Sequence, residues 1–252
     1  MGLNVSIAGR SQMPIGTRSR QPKNINAQIV DVIGRRIIAG EYDVGEKLPI
    51  EAQLCDEFGV SRPVLREAIK ILMAKGLVVS KARVGTLVTS KNGWNILDPY
   101  VLNWVIELMP ESRFLDMLFE VRLGIEPIAS ELAAENGSDE AIQAIGEAYS
   151  DMEKAPTTAE LAEPDLRFHQ AILDATANPM LSFIGSTLHS ALAFSIELTS
   201  RHPDTYALSL PRHKAVYKAI AQREPEAARA ATISLLKNSR EDFETVRNRK
   251  KT

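Results

Sequence analysis

Residues 48–69, LPIEAQLCDEFGVSRPVLREAI, admit few folds. Leu48, Leu54, Phe58, Val60, Leu65 and Ile69 are apolar at spacings that two short helices share as one inner face. Gly59 falls between them, where a tight helix-to-helix turn needs a residue that tolerates positive φ. Ser61 follows as an N-cap, and Arg62 and Arg66, four apart, leave one face of the second helix. Two helices, a glycine turn and a cationic start to the second make a helix-turn-helix, whose second helix enters the DNA major groove.

The charge distribution agrees with that reading. The net charge of −2 divides into +5 over residues 1–90 and −7 over residues 91–252. The first part can approach phosphates and the second is repelled by them. With 252 residues, 44% hydrophobic and 25% charged, the chain suits two globular domains rather than a disordered protein. No apolar run approaches the roughly 18 residues of a spanning helix, and no secretory signal core is visible, so no membrane partner is expected. The single cysteine, Cys55, cannot form a disulfide within the chain and fits a reducing cytoplasm, where it reads as a small hydrophobe.

Residues 1–23 are polar, irregular and basic, a disordered arm. A DNA-binding unit over residues 24–90 starts with a helix at 25–39 that turns Ile29, Ile33, Ile37 and Ile38 inward and stops at Gly40. The motif helices follow at about 50–58 and 61–75. Residues 77–80 and 86–89 read as two strands around the cationic tip Lys81-Ala82-Arg83-Val84-Gly85, the wing of a winged helix. Residues 91–99 are a linker by composition, and residues 100–247 form the second domain. Candidate helices cover about 99–108, 111–135, 138–154, 157–176, 179–201, 204–222 and 224–247, with breaks at proline or glycine. The fold class is mainly α: an N-terminal winged helix-turn-helix with a small β-hairpin, and a C-terminal all-helical antiparallel bundle.

The N-terminal pattern resembles the GntR superfamily of bacterial transcription regulators. Gly45, Leu48-Pro49, Glu51, Leu54, Phe58-Gly59-Val60-Ser61-Arg62, Val64, Arg66-Glu67-Ala68, Leu72, Gly76-Leu77-Val78 and Gly85-Thr86 carry the resemblance. The C-terminal part is similar to the FCD ligand domain of the FadR-type subfamily through Arg122-x-x-x-Glu126, Asp165-x-x-Phe168-His169, Asn178-Pro179 and His213. The resemblance implies a cytoplasmic regulator, not an enzyme, that binds double-stranded operator DNA. It sets Ser61, Arg62, Pro63, Val64 and Arg66 at or near that DNA, with Arg83 and Gly85 on the wing. Arg62 and Arg66 suit a guanine edge or a phosphate, Ser61 a phosphate; Arg35, Arg36 and Lys47 are weaker phosphate candidates. One winged helix covers few base pairs, so a homodimer on a palindromic site is expected. Two departures from the family stand out. Ala52 and Gln53 replace an arginine common after the glutamate of Leu-Pro-x-Glu, and Arg83-Val84-Gly85 replaces a Gly-x-Gly wing. Contacts shift accordingly from the first motif helix toward the wing.

Asp165 and His169, four apart on one helix, share a face, and His213 lies on another helix. A carboxylate with two imidazoles suits a divalent transition metal such as zinc, with positions left open. On spacing alone such a pair is commonly a surface hydrogen bond; the resemblance implies the metal. Relatives often carry a further histidine where this chain has Leu235, so the site is either a three-ligand one or one that has lost its metal. Asn238 and His189 are outside candidates, and His202 reads as a loop residue. Arg122 either pairs with Glu126 or clamps a carboxylate entering the bundle, and the resemblance favours the clamp. The effector would be a small carboxylate, an aldonate-like sugar acid, whose binding relieves repression of a catabolic operon. The alternatives are a metal-dependent enzyme acting on a hydroxy acid, and a metal-free regulator responding to an apolar acid.

Overall fold

The structure, a computed structural model, describes residues 24–199 and 203–249; the basic arm over 1–23 and His202 lie outside the described residues. Helix α1 (Ile25–Ala39) starts on Asn24, whose side chain accepts from the Asn26 N–H, and ends at Gly40, φ +80°. Helix α2 (Glu51–Phe58) ends at Gly59, φ +63°, the left-handed turn the sequence requires. Helix α3 (Arg62–Ala74) holds Pro63 in its first turn, where a missing N–H is harmless. Ser61 takes the N-cap position, but its side chain makes no capping bond, contrary to expectation.

Strands β1 (Val78–Lys81) and β2 (Gly85–Val88) pair antiparallel, with Val78 opposite Val88 and Lys81 opposite Gly85. Pairing of Lys81 with Gly85 shifts both strands one residue toward the tip from their expected bounds. Ile29, Ile33, Ile37, Leu54, Leu65, Leu72, Leu77 and Val88 bury the inner faces of all these elements together.

Helix α4 (Pro99–Leu108) packs on α1, and Val101, Leu102, Trp104, Val105 and Ile106 belong to the same buried cluster. The Trp104 ring lies against Gly34, where any Cβ would overlap it, and its indole N–H donates to Asp31 Oδ1 at 2.8 Å. A second tie joins α4 to the recognition helix. Lys75, the C-cap residue of α3, donates to both oxygens of Asp98 at 2.7 and 2.8 Å. Asp98 is also the N-cap of α4, accepting from the N–H groups of Tyr100 and Val101.

Helices α5 (Glu111–Asn136), α6 (Asp139–Lys154), α7 (Thr158–Ala175), α8 (Pro179–Thr199), α9 (Pro203–Ala221) and α10 (Pro225–Arg249) form the bundle. Their ends match the proline and glycine breaks closely, whereas Pro127, Pro164 and Pro211 lie inside helices. α5 packs against α10, α7 and α9, and α7 against α6 and α8. Phe168, Ile145, Met152, Val216, Ile220 and Leu235 lie in its core.

One expectation is corrected. Pro179–Ile196 of α8 is long and apolar enough, by length and composition, to cross a membrane, with mean hydropathy 1.2. Serines and His189 break it into short apolar runs, so a search for one unbroken run passes over it, yet the window holds no charged residue. Its inner face carries Ala191, Leu192 and Ile196 in the core.

Candidate functional site

The recognition helix presents Ser61, Arg62, Pro63 and Arg66 to solvent, while Val64 is half-buried against the core. Arg66 is engaged within the protein: its Nε and Nη2 donate to Glu51 at 3.0 Å each, a forked pair across the turn. The two arginines therefore differ. Arg62 is the cation at the helix start, and Arg66 is oriented by the glutamate of Leu-Pro-x-Glu. Of the weaker phosphate candidates, Arg35 pairs with Asp31 and Glu107, and Arg36 with Glu57 and Glu41; Lys47 is exposed beside the wing. Gly85 opens β2 at φ +116°. Arg83, at the wing tip, adopts φ +63°, a left-handed conformation that costs an L side chain about 1–2 kcal/mol. A glycine would take it freely, so the chain keeps a cation at the tip against the preference of its backbone.

The second site is buried between α5, α7 and α9. Asp165, His169 and His213 bring one donor atom each to within 4.8 Å of one another. His169 Nε2 lies 3.1 Å and His213 Nε2 3.5 Å from Asp165 Oδ1. The other ring nitrogens are held from behind: His169 Nδ1 lies 3.0 Å from Glu126 Oε2, and His213 Nδ1 2.9 Å from the Ser209 carbonyl. With both Nδ1–H groups donated, both Nε2 atoms lie on the Asp165 side and can accept a proton or a metal there. Phe168 closes edge-on against both imidazoles.

Asp165 Oδ1 and His213 Nε2 have no hydrogen-bond partner in this buried pocket. Acceptors that converge in this way call for a proton or a cation between them. A tetrahedral ion with bonds of about 2.0–2.2 Å sets its ligand atoms about 3.3–3.6 Å apart, close to the separations of Asp165 Oδ1 from the two nitrogens. The residues therefore fit a divalent metal with three protein ligands. Neither outside candidate joins them: His189 is exposed on α8, and the Asn238 amide donates to the Ser234 carbonyl on its own helix. Leu235 is buried in the bundle core.

Arg122 sits beside this cluster and is paired, the first of the two roles its sequence allowed. Its Nε donates to Glu126 Oε1 at 2.6 Å, and its Nη2 lies 3.0 Å from His169 Nε2. Glu126 thus serves two helices, Arg122 on α5 and His169 on α7. Sequence reasoning singled it out only as a partner for Arg122. Its hold on His169, 43 positions away, has no local signal.

Charge pairing sets the protonation of the cluster in chelator-treated protein. His169 faces Glu126 and Arg122 from α5, Asp165 from its own helix and His213 from α9. Burial disfavours its charged form and the Arg122 charge adds to that, but Glu126 and Asp165 together outweigh both, raising its pKa to about 9. Burial raises Glu126, yet Arg122 and His169 together bring it down to about 2. Asp165 is likewise held well below the carboxylate range by the two histidines, against its burial. The raised His169 contributes stability in full below its ordinary 6.5, lost as pH rises through about 9. The lowered Glu126 contributes above 4.5, lost as pH falls through about 2. Metal-free protein should therefore lose thermal stability from pH 6.5 to 9, and His169→Gln should flatten that slope. A slope unchanged in the variant would assign it elsewhere.

Comparison with known proteins covers both halves of the chain. Residues 25–88 match the family described as bacterial regulatory proteins, gntR family, and residues 117–238 match the FCD domain. The galactonate operon transcriptional repressor of Escherichia coli is 34% identical over 222 residues, 86% of this chain and 95% of that protein. The uncharacterized HTH-type regulator YieP of Escherichia coli is 33% identical over 219 residues, 86% of this chain and 94% of that one. A solved structure of Lar, described as controlling the Listeria monocytogenes agr system, shares the fold. Its TM-score is 0.58 at 19% identity, over 90% of this chain and 99% of that one.

Proposed function

The chain belongs to the gntR family of bacterial regulatory proteins and carries an FCD domain, and on that premise we propose that it represses a sugar-acid catabolic operon. It is a DNA-binding transcription regulator, not an enzyme; its relatives over most of their length are named as regulators. In our reading a homodimer holds a palindromic operator in the cytoplasm. A small aldonate-like carboxylate entering the α5–α7–α9 cluster releases it. The observation that carries this is the set of two unpartnered buried lone pairs beside a buried arginine. Asp165, His169 and His213 would hold the metal, zinc by its ligand set. When bound it supplies a Lewis-acid centre for a carboxylate and its α-hydroxyl. Glu126 and Ser209 orient the imidazoles, and Arg122 turns from Glu126 to neutralise the acid. α4 packs on α8 and on α1, which joins this bundle to the DNA-reading unit. The test is fluorescence anisotropy on the promoter beside the protein's own gene. Binding at low salt, reversed by one sugar acid in zinc-loaded protein, is expected; no binding to that DNA under any condition defeats the proposal.

DNA contact through the wing is supported by the conformation of Arg83. Arg83→Gly should stabilise the fold by about 0.5–1 kcal/mol, because strain is relieved, while operator binding weakens. Urea unfolding and anisotropy read the two effects separately. Unchanged affinity would remove Arg83 from the interface.

In the same reading α5 supplies the surface for the homodimer. Met117, Val121 and Ile128 are exposed and apolar, and Gly124 leaves open space between them. Their spacings of four, three and four residues are the same in either direction. An antiparallel copy then meets the stripe with itself, with Val121 over the partner's glycine. In the same register Arg113 falls opposite position 132 of the copy, within one helical turn of Glu135. Val121→Arg is expected to yield folded monomer in sedimentation velocity; a persistent dimer would place the interface elsewhere.

A further inference from the structure

We infer that the cluster selects a carboxylate of single negative charge, a monoacid, and rejects the corresponding diacid. This rests on the reading that a metal and a carboxylate meet there, and it follows from a count of buried charge. Among the described residues, the buried charged side chains of the bundle are Arg122, Glu126 and Asp165, beside the buried His169 and His213. Lys75, also buried, is matched to Asp98 at the joint between α3 and α4.

Asp165 and Glu126 contribute two negative charges, and Arg122 one positive. His169 and His213 are neutral as ligands, since each keeps its Nδ1–H, given to Glu126 and to the Ser209 carbonyl. A divalent ion then leaves the loaded site at +1. One carboxylate restores neutrality. A second has no buried cation left to meet and leaves one uncompensated negative charge beside the apolar ring of Phe168, in the bundle core. Stranding a charge in such surroundings is what buried sites resist most strongly.

Glu126 sets this count without being a ligand, and that makes it the specificity-determining residue. Its exchange for glutamine removes one negative charge, raises the loaded site to +2, and should move the preference toward the diacid.

The experiment is titration calorimetry on full-length zinc-loaded protein, freed of excess zinc, with matched acids: galactonate against galactarate and gluconate against glucarate. The monoacid of at least one pair should bind roughly 100-fold or more tightly than its diacid. In Glu126→Gln that ratio should fall about 10-fold or more, with metal content and circular dichroism checked on the variant. A diacid bound as tightly as its monoacid by wild-type protein overturns the inference while leaving the carboxylate reading in place. So does a ratio unchanged in a folded, zinc-loaded Glu126→Gln. If no acid of either pair binds, the sugar-acid reading falls and this inference falls with it. The wild-type ratio decides the matter even where the variant fails to fold.

Discussion

Replacing Glu126 by alanine is expected to destabilise the metal-free protein by about 3–5 kcal/mol, read as a shift of the urea midpoint. Glu126 is 7% exposed, and its carboxylate accepts from Arg122 Nε at 2.6 Å and faces His169 Nδ1 at 3.0 Å. Its removal strands a buried guanidinium, and the cost of a stranded charge exceeds the net worth of the pair. The comparison that isolates this term is the double variant Arg122→Met with Glu126→Leu, which replaces both charges by apolar groups of similar length. It should recover most of the loss, because no charge is left unmatched. A single variant within about 1 kcal/mol of wild type would show that Asp165 suffices as counterion for Arg122.

The second large effect is expected at Trp104. Trp104→Ala should cost about 3–5 kcal/mol, since the ring is almost wholly buried and lies against Gly34 of α1. Trp104→Phe, which keeps most of the ring but loses the N–H donated to Asp31, should cost about 1 kcal/mol. Gly34→Ala should lie between these, because its new methyl group meets the ring directly. Thermal unfolding of the three variants gives the order; a Trp104→Phe as damaging as Trp104→Ala would shift the weight from packing to the hydrogen bond.

The helical frame was legible because its boundaries are local. Gly40, Gly59 and the prolines at 179, 203 and 225 mark helix boundaries through their own backbone limits: helices end at the glycines and begin at the prolines. Asp165 and His169 were legible for the same reason, one helical turn apart on one face. Other features depend on contacts between elements. The fork of Arg66 onto Glu51 crosses a turn, and the grip of Glu126 on His169 crosses from α5 to α7. No spacing encodes either. Pro127, Pro164 and Pro211 show the converse: a local rule predicts a break, and packing in the bundle overrides it. The apolarity of α8 is masked in the sequence because small polar residues interrupt it without adding charge.

The joint at Lys75 and Asp98 limits how any signal can travel. Pulling a mostly buried lysine off its carboxylate costs about 3 kcal/mol or more, at or above the 1–3 kcal/mol that coupling between sites ordinarily supplies. Asp98 would also give up the two N–H groups it caps at the head of α4. In the proposed switch this joint would stay shut, and α1, α3 and α4, which share one buried core, would move together as one unit.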